Sequence, residues 1–320
     1  MAQKIACNIQ QYAYKLLCLD NNDILVLLES KILCLKSPMY SLNNNLEISF
    51  QNSKIDAICL WKNNHIIVKT PKKLIVIELF LDNTNYKIVS EQEIFENLFL
   101  KYQKIISLNN YTKILLNSMR EFIIMNEDRP FHFDVQLSFN YKFGFNSFIQ
   151  IKPDELMANS DNKTVLFLDI KKGKILKEIN DVKTCFGDVD VFCYVNDNIV
   201  AMGGDLRDGI YLFDINSREL IYHYKKDWRG YHSLLYIGNN KFLGESYSGR
   251  CYGESDDENE ELYCTAFFEY KSEEQKIKKY KSGEDRVYAL KRSHYIKLNN
   301  VNKIAYYADK AVYIENILII

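Results

Sequence analysis

The chain has 320 residues, 47% hydrophobic and 13% aromatic, with 41 Lys plus Arg against 42 Asp plus Glu and a formal net charge of −1. That balance gives no electrostatic reason to expect nucleic acid or an anionic membrane as a partner, because both are held by an excess of basic side chains. No apolar run reaches transmembrane length, the N-terminal MAQKIACNIQ lacks the apolar core of a secretion signal, and no low-complexity linker divides the sequence.

The first stretch with strand character, Lys4–Ile9 (KIACNI), precedes any repeat. From there a turn followed by a short apolar run recurs. It reads NNDILVL at Asn21, NNHIIV at Asn63, NNYTKILL at Asn109, PDELMA at Pro153, NDNIVAM at Asn196, NNKFLGE at Asn239 and NNVNKIAYY at Asn299. Asn and Asp suit such turns because they tolerate left-handed backbone and bond their own main chain. Successive markers are 42, 46, 44, 43, 43 and 60 residues apart. A period in the low forties, with about four short strands in each unit, is the signature of a β-propeller blade.

Asn196–Tyr224 is the most complete unit. Turn, Ile199–Met202, a loop through Gly203 and Gly204, Ile210–Phe213, a second turn and Leu220–Tyr224 follow one another. The runs are too short for helices and are apolar throughout, so both faces are expected to be covered. Third strands are expected at places such as Lys31–Leu35 and Lys73–Leu79, and outer strands at places such as Leu46–Phe50 and Lys276–Tyr280. The last unit lacks a full outer strand. Lys4–Ile9 is expected to complete it and close the ring; Ile317–Ile320 is the other candidate. The fold class is therefore all-β: a seven-bladed β-propeller of four-stranded antiparallel blades, forming one domain over residues 1–320.

The 8 cysteines (Cys7, Cys18, Cys34, Cys59, Cys185, Cys193, Cys251 and Cys264) include no C-x-x-C pair and mostly lie in apolar runs. They read as reduced core residues of an intracellular, cytoplasmic protein, with the nucleus left open. The initial Met and full set of units suggest a chain that stands alone, as a monomer. The long sixth interval comes from an acidic insertion at 248–261, SGRCYGESDDENEE. It reads either as a tolerated surface loop or as an arm for a basic partner. Ser255-Asp256-Asp257-Glu258 has the form of an acidophilic kinase site, whereas the D-x-D-x-D-G pattern of a calcium loop is absent.

Two stretches carry a family resemblance. Thr164–Leu176 (TVLFLDIKKGKIL) and Gly209–Ile221 (GIYLFDINSRELI) resemble the third-strand, turn and fourth-strand pattern of WD40 repeats. Asp169 and Asp214 stand where that pattern has its Asp, Leu168 and Phe213 replace the usual Trp, and Gly230-Tyr231-His232 is the nearest echo of the Gly-His pair. The resemblance implies a degenerate WD40-like propeller. It also implies that second-to-third-strand loops share a face with the loops entering each inner strand. The insertion would then sit beside Leu206-Arg207-Asp208 and Lys226-Asp227-Trp228-Arg229-Gly230.

Nothing in the sequence carries catalysis, a cofactor or a metal. The 5 histidines are scattered, without H-x-x-x-H or H-E-x-x-H, and no nucleophile elbow, P-loop or dinucleotide fingerprint occurs. Trp and Arg are the residue types that dominate interfaces. The partner-binding candidates are therefore Trp228, Arg229, Arg207 and Asp205, with Arg250, Asp256, Asp257 and Glu258 from the insertion. The expected function is a non-enzymatic scaffold holding a protein partner on one face, with no nucleic acid and no membrane. The alternative is a hydrolase or lyase at the central channel, which would draw on carboxylates such as Asp56 and Asp190.

Overall fold

The computed structural model describes residues 5–9, 11, 13–40, 46–50, 53–62, 64–80, 85–93, 104–108, 113–117, 121–126, 133–139, 141–160, 162–182, 191–204, 208–225, 230–248, 262–280, 295–299, 303–308 and 310–316. Among them every helix or strand is a strand, and the strands form seven four-stranded antiparallel sheets. In chain order, β1 (Ile5–Asn8) stands ahead of the sheet β2 (Lys15–Cys18), β3 (Ile24–Leu27), β4 (Lys31–Leu35) and β5 (Leu46–Ser49). Next come β6 (Ala57–Trp61), β7 (His65–Lys69), β8 (Lys73–Phe80) and β9 (Asn85–Glu93), then β10 (Lys104–Leu108), β11 (Lys113–Asn117), β12 (Glu121–Asn126) and β13 (Phe133–Ser138). The fourth and fifth sheets are β14 (Phe145–Lys152), β15 (Glu155–Ser160), β16 (Thr164–Asp169) and β17 (Lys174–Ile179), and β18 (Phe192–Tyr194), β19 (Ile199–Gly203), β20 (Ile210–Asp214) and β21 (Glu219–Tyr224). The sixth is β22 (Gly230–Gly238), β23 (Lys241–Ser248), β24 (Leu262–Lys271) and β25 (Lys276–Tyr280); β26 (Tyr295–Lys297), β27 (Lys303–Ala308) and β28 (Ala311–Asn316) end the chain.

The chain divides into two compact units, one of Met1–Asn140 with Ser293–Ile320 and one of Tyr141–Arg292. In the first, the terminal sheet has the order β1-β28-β27-β26. Ile5 lies opposite Ile314 and Asn8 opposite Ala311, and the Ile9 amide donates to the Lys310 carbonyl at 2.9 Å. The N-terminal strand thus supplies the outer strand of the last sheet, as the repeat arithmetic required. Ile9 is buried with Val312, Ile314 and Leu298, and with Ile24 and Val26 of β3. A second apolar layer joins Leu25, Leu27 and Ile32 to Ile58, Ile66, Val68 and Ile77. Trp61, at the end of β6, is 2% exposed.

In the second unit, Met157, Val165 and Phe167 pack against Val200, Met202, Tyr211 and Phe213. Leu212, Ile210 and Tyr224 pack against Tyr231, Phe242 and Phe268. This is why the second and third strands are apolar without alternation: every residue of β19 is buried, whereas β17, at a sheet edge, alternates exposed and half-buried positions.

The recurring turn has a physical job. In four sheets the amide of a residue within one position of the third strand's end donates to a carbonyl in the turn: Leu79 to Asn64 (2.9 Å), Ile170 to Asp154 (2.9 Å), Ile215 to Asn198 (2.9 Å) and Tyr270 to Asn240 (2.8 Å). Asn64, Asn239 and Asn240 hold left-handed backbone there, with φ of 62°, 53° and 57°, a conformation asparagine adopts more readily than most residues. Asp169 and Asp214 also act alike. Asp169 Oδ1 accepts from the amides of Lys171 and Lys172 (2.9 and 2.8 Å), and Asp214 Oδ1 from those of Asn216 and Ser217 (2.9 and 2.8 Å).

Cys18, Cys34, Cys59 and Cys193 are free thiols. Burial pushes Cys34 and Cys59 up from 9.0 to about 12 and raises Cys193 as well. Below pH 9.0 both the folded and unfolded chains keep these protons; between 9.0 and 12 only the folded chain does, so stability falls as pH rises through that window. The urea midpoint should therefore drop less between pH ~8 and pH ~10.5 in a Cys34→Ala/Cys59→Ala variant than in the wild type. An equal drop in both would remove the thiols as the cause.

Candidate functional site

The three connections β19–β20, β21–β22 and β23–β24 leave the second unit at one end, since β19, β21 and β23 finish where β20, β22 and β24 begin. Their roots are tied together. Gly209 and Gly230 form a parallel bridge, the Tyr231 amide donates to the Gly204 carbonyl at 3.0 Å, and the Gly204 amide donates to the Gly209 carbonyl at 2.8 Å. Gly230 and Tyr231 then pair with Tyr247 and Ser246, at the end of β23. Trp228, Arg229, Arg207, Asp205, Arg250, Asp256, Asp257 and Glu258 belong to these connections and lie outside the described residues. β23 runs to Ser248 and β24 starts at Leu262, so Ser248, expected in the insertion, ends a strand instead.

Glycine is required where these roots meet. A Cβ on Gly203 would stand 1.7 Å from the Tyr231 carbonyl oxygen; one on Gly209, at φ +70°, would stand 1.8 Å from the Tyr224 carbonyl oxygen. Both neighbours are main chain, so no side chain can step aside.

Charge at this end is buried as well as exposed. Asp208 is 4% exposed, with Lys225 Nζ 3.6 Å from its carboxylate. His223 donates from Nε2 to the Asp208 carbonyl and stacks on Tyr211 with ring centres 4.0 Å apart. Glu245 of β23 is 3% exposed, and among the described residues neither of its carboxylate oxygens has a hydrogen-bond partner. His232 Nε2 lies 3.6 Å away, a pairing that is ionic only when the imidazole is protonated. A desolvated carboxylate without hydrogen bonds is expensive, so proteins rarely hold one unless something offsets it. Sequence reading passed over Glu245 because NNKFLGE reads as a turn plus an apolar strand.

The carboxylates considered for channel chemistry stand differently. Asp56 pairs with Lys69 Nζ at 2.7 Å, and Asp190 lies outside the described residues. Among the described residues no three or more His, Cys, Asp or Glu side chains converge as a metal site.

No protein-family model matches the chain, and no curated protein matches it. Solved structures do. A chain in the crystal structure of the Mitotic Checkpoint Complex aligns with a TM-score of 0.70 at 10% identity, covering 98% of this chain and 90% of that one. The β-propeller domain of Myceliophteria thermophila Cps50 (Swd1) aligns with a TM-score of 0.66 at 8% identity, covering 96% of each. The fold is a WD40-like β-propeller. At such identity the likeness carries the fold alone. The WD40-like propeller keeps its strand spacing here while the signature side chains have changed: Leu168 and Phe213, where the repeat has Trp, are both 0% exposed, filling the space with smaller apolar groups.

Proposed function

We propose that this WD40-like propeller is a non-enzymatic scaffold that holds a protein partner at the loop-bearing end of its second unit. The observation that carries the reading is the tying of three connection roots at one end through Gly204, Gly209, Gly230 and Tyr231. Loops on a rigid sheet framework are where binding residues concentrate, because they vary without disturbing the core. These connections carry Trp228, Arg229 and Arg207, residue types enriched at hot spots, and the acidic run 254–261. The setting of one structural neighbour, a chain in the Mitotic Checkpoint Complex, supports a role among protein partners. The free thiols of Cys18, Cys34, Cys59 and Cys193 support a reducing compartment, which we take to be the cytoplasm.

The test is affinity capture from the source cells with quantitative mass spectrometry. It compares wild type with Trp228→Ala/Arg229→Glu and with a deletion of residues 253–261. We expect at least one protein to be captured by wild type and depleted about tenfold or more by either variant, with circular dichroism unchanged. Captured proteins retained equally by both variants would remove this end as the binding face.

A further inference from the structure

The outer strands of the sheets are not alike. β9, β13, β17 and β21 each carry an extra residue that shifts their register on the neighbouring strand. Such a bulge twists an edge away from pairing with another chain. Among the described residues β25 has none: it runs straight along β24 from Phe267↔Tyr280 to Lys271↔Lys276. β25 ends its sheet, so its outward N–H and C=O groups face away from β24. The other regular outer strands, β1 and β5, have 4 residues each against 5 in β25.

Beside β25 lies a groove of about 470 Å³, between that strand and β21. Tyr222, Tyr224 and the buried Ile277 give it apolar walls, and Lys271, Lys276, Lys278 and Lys279 give it positive charge, with Glu274 the one acidic lining residue. Lysines near other outer strands face carboxylates: Lys31 lies 3.4 Å from Glu47, Lys73 2.6 Å from Glu91, and Lys177 pairs with Glu219. Lys276 and Lys278 are exposed and make no ion pair among the described residues. Glu269, opposite Lys278, is taken by Lys271 at 2.5 Å and by the Tyr280 hydroxyl.

We infer that this groove binds an extended acidic peptide of a partner protein, which adds to the free edge of β25. Strand addition supplies main-chain hydrogen bonds, and pockets for alternate side chains supply specificity. Lys276 and Lys278 are two positions apart on a strand, hence on one face, and they match carboxylates two positions apart on the added strand. The residue between those carboxylates would meet the Ile277 and tyrosine side of the groove. A phosphate-dense polymer suits the site less well: among the described residues the lining has no arginine and includes Glu274. The groove is lined by β21, β24, β25 and the turn between the last two, and the inference stands without the scaffold reading above.

Fluorescence anisotropy on the full chain tests it, with a labelled, end-blocked peptide of alternating Glu and Val as the probe. We expect saturable binding that weakens about tenfold in Lys276→Glu/Lys278→Glu and about tenfold for a peptide of the same composition with its Glu and Val in separate blocks. Trp228→Ala/Arg229→Glu should bind the alternating peptide as wild type does, which separates this site from the other. Three results would overturn the inference: no binding of the alternating peptide, equal binding by the lysine variant, or equal binding of the two peptides. Tighter binding of a thymidine oligonucleotide than of either peptide would also overturn it, in favour of a nucleic-acid site.

Discussion

Gly203→Ala should destabilise the second unit by about 3 kcal/mol or more, lowering its melting temperature by roughly 10 °C. The added methyl would stand 1.7 Å from the carbonyl oxygen of Tyr231 and 2.8 Å from its carbonyl carbon. Relief requires moving the main chain of β22 away from β19. That movement would stretch the Tyr231–Gly204 hydrogen bond of 3.0 Å and the Gly209–Gly230 bridge, and would loosen Tyr231, which is 0% exposed, from its packing on Phe268. Gly204→Ala is the informative comparison. Its Cβ would first meet the Tyr211 ring edge at 2.9 Å, with Asp208 atoms at 3.1 Å. A ring edge can shift further than a strand backbone, so the cost should be smaller. Thermal melts of the two variants followed by far-ultraviolet circular dichroism decide the matter: a Gly203→Ala protein that melts with wild type would mean the two strands are not in the contact described.

The architecture was legible because the repeat is a backbone device. Asn64, Asp154, Asn198 and Asn240 each offer a carbonyl to the end of a third strand, and the left-handed backbone of Asn64 and Asn240 suits asparagine in that turn. Strand ends were less legible. β9 runs over Asn85–Glu93, because hydrogen bonding carries it past its apolar residues into Glu91, Gln92 and Glu93, residues whose side chains need no burial at a sheet edge.

The candidate sites were legible only as composition. Trp228, Arg229 and the carboxylates of the insertion stand out as residue types, but a loop has no periodicity from which to read where a side chain goes. Glu245 shows the opposite failure. Its neighbours Phe242, Leu243 and Gly244 are buried in the pattern of a core strand, so nothing local marks the carboxylate as one that accepts no hydrogen bond among the described residues. The groove beside β25 was half visible: Lys276, Lys278 and Lys279 stand out in the sequence as a basic cluster. What separates β25 from other guarded edges is register, and a bulge is a property of a strand pair that neither strand's sequence displays alone.

Removing Met1–Gln10 should lower the melting temperature of the first unit by roughly 10 °C and make the protein prone to aggregate. The deletion takes away β1, whose register on β28 runs from Ile5↔Ile314 to Asn8↔Ala311, and with it Ile9, 7% exposed among Val312, Ile314 and Leu298. Losing a buried isoleucine alone typically costs about 2–5 kcal/mol. The deletion also leaves β28 as an unpaired edge with no strand between it and water. Because β1 and β28 are antiparallel, Ile5 enters the sheet opposite Ile314, close to where β28 ends at Asn316. Residues 1–10 grafted after Ile320 through a short flexible linker could therefore re-form the same pairing as a hairpin. The grafted chain should recover most of the lost melting temperature, whereas a graft of the same residues in scrambled order should not. Recovery by both grafts would assign the effect to chain length, and a deletion that melts like the full chain would show that the pairing adds nothing to stability. Recovery by the native order alone assigns it to the strand: the last sheet is then a joint product of both ends of the chain.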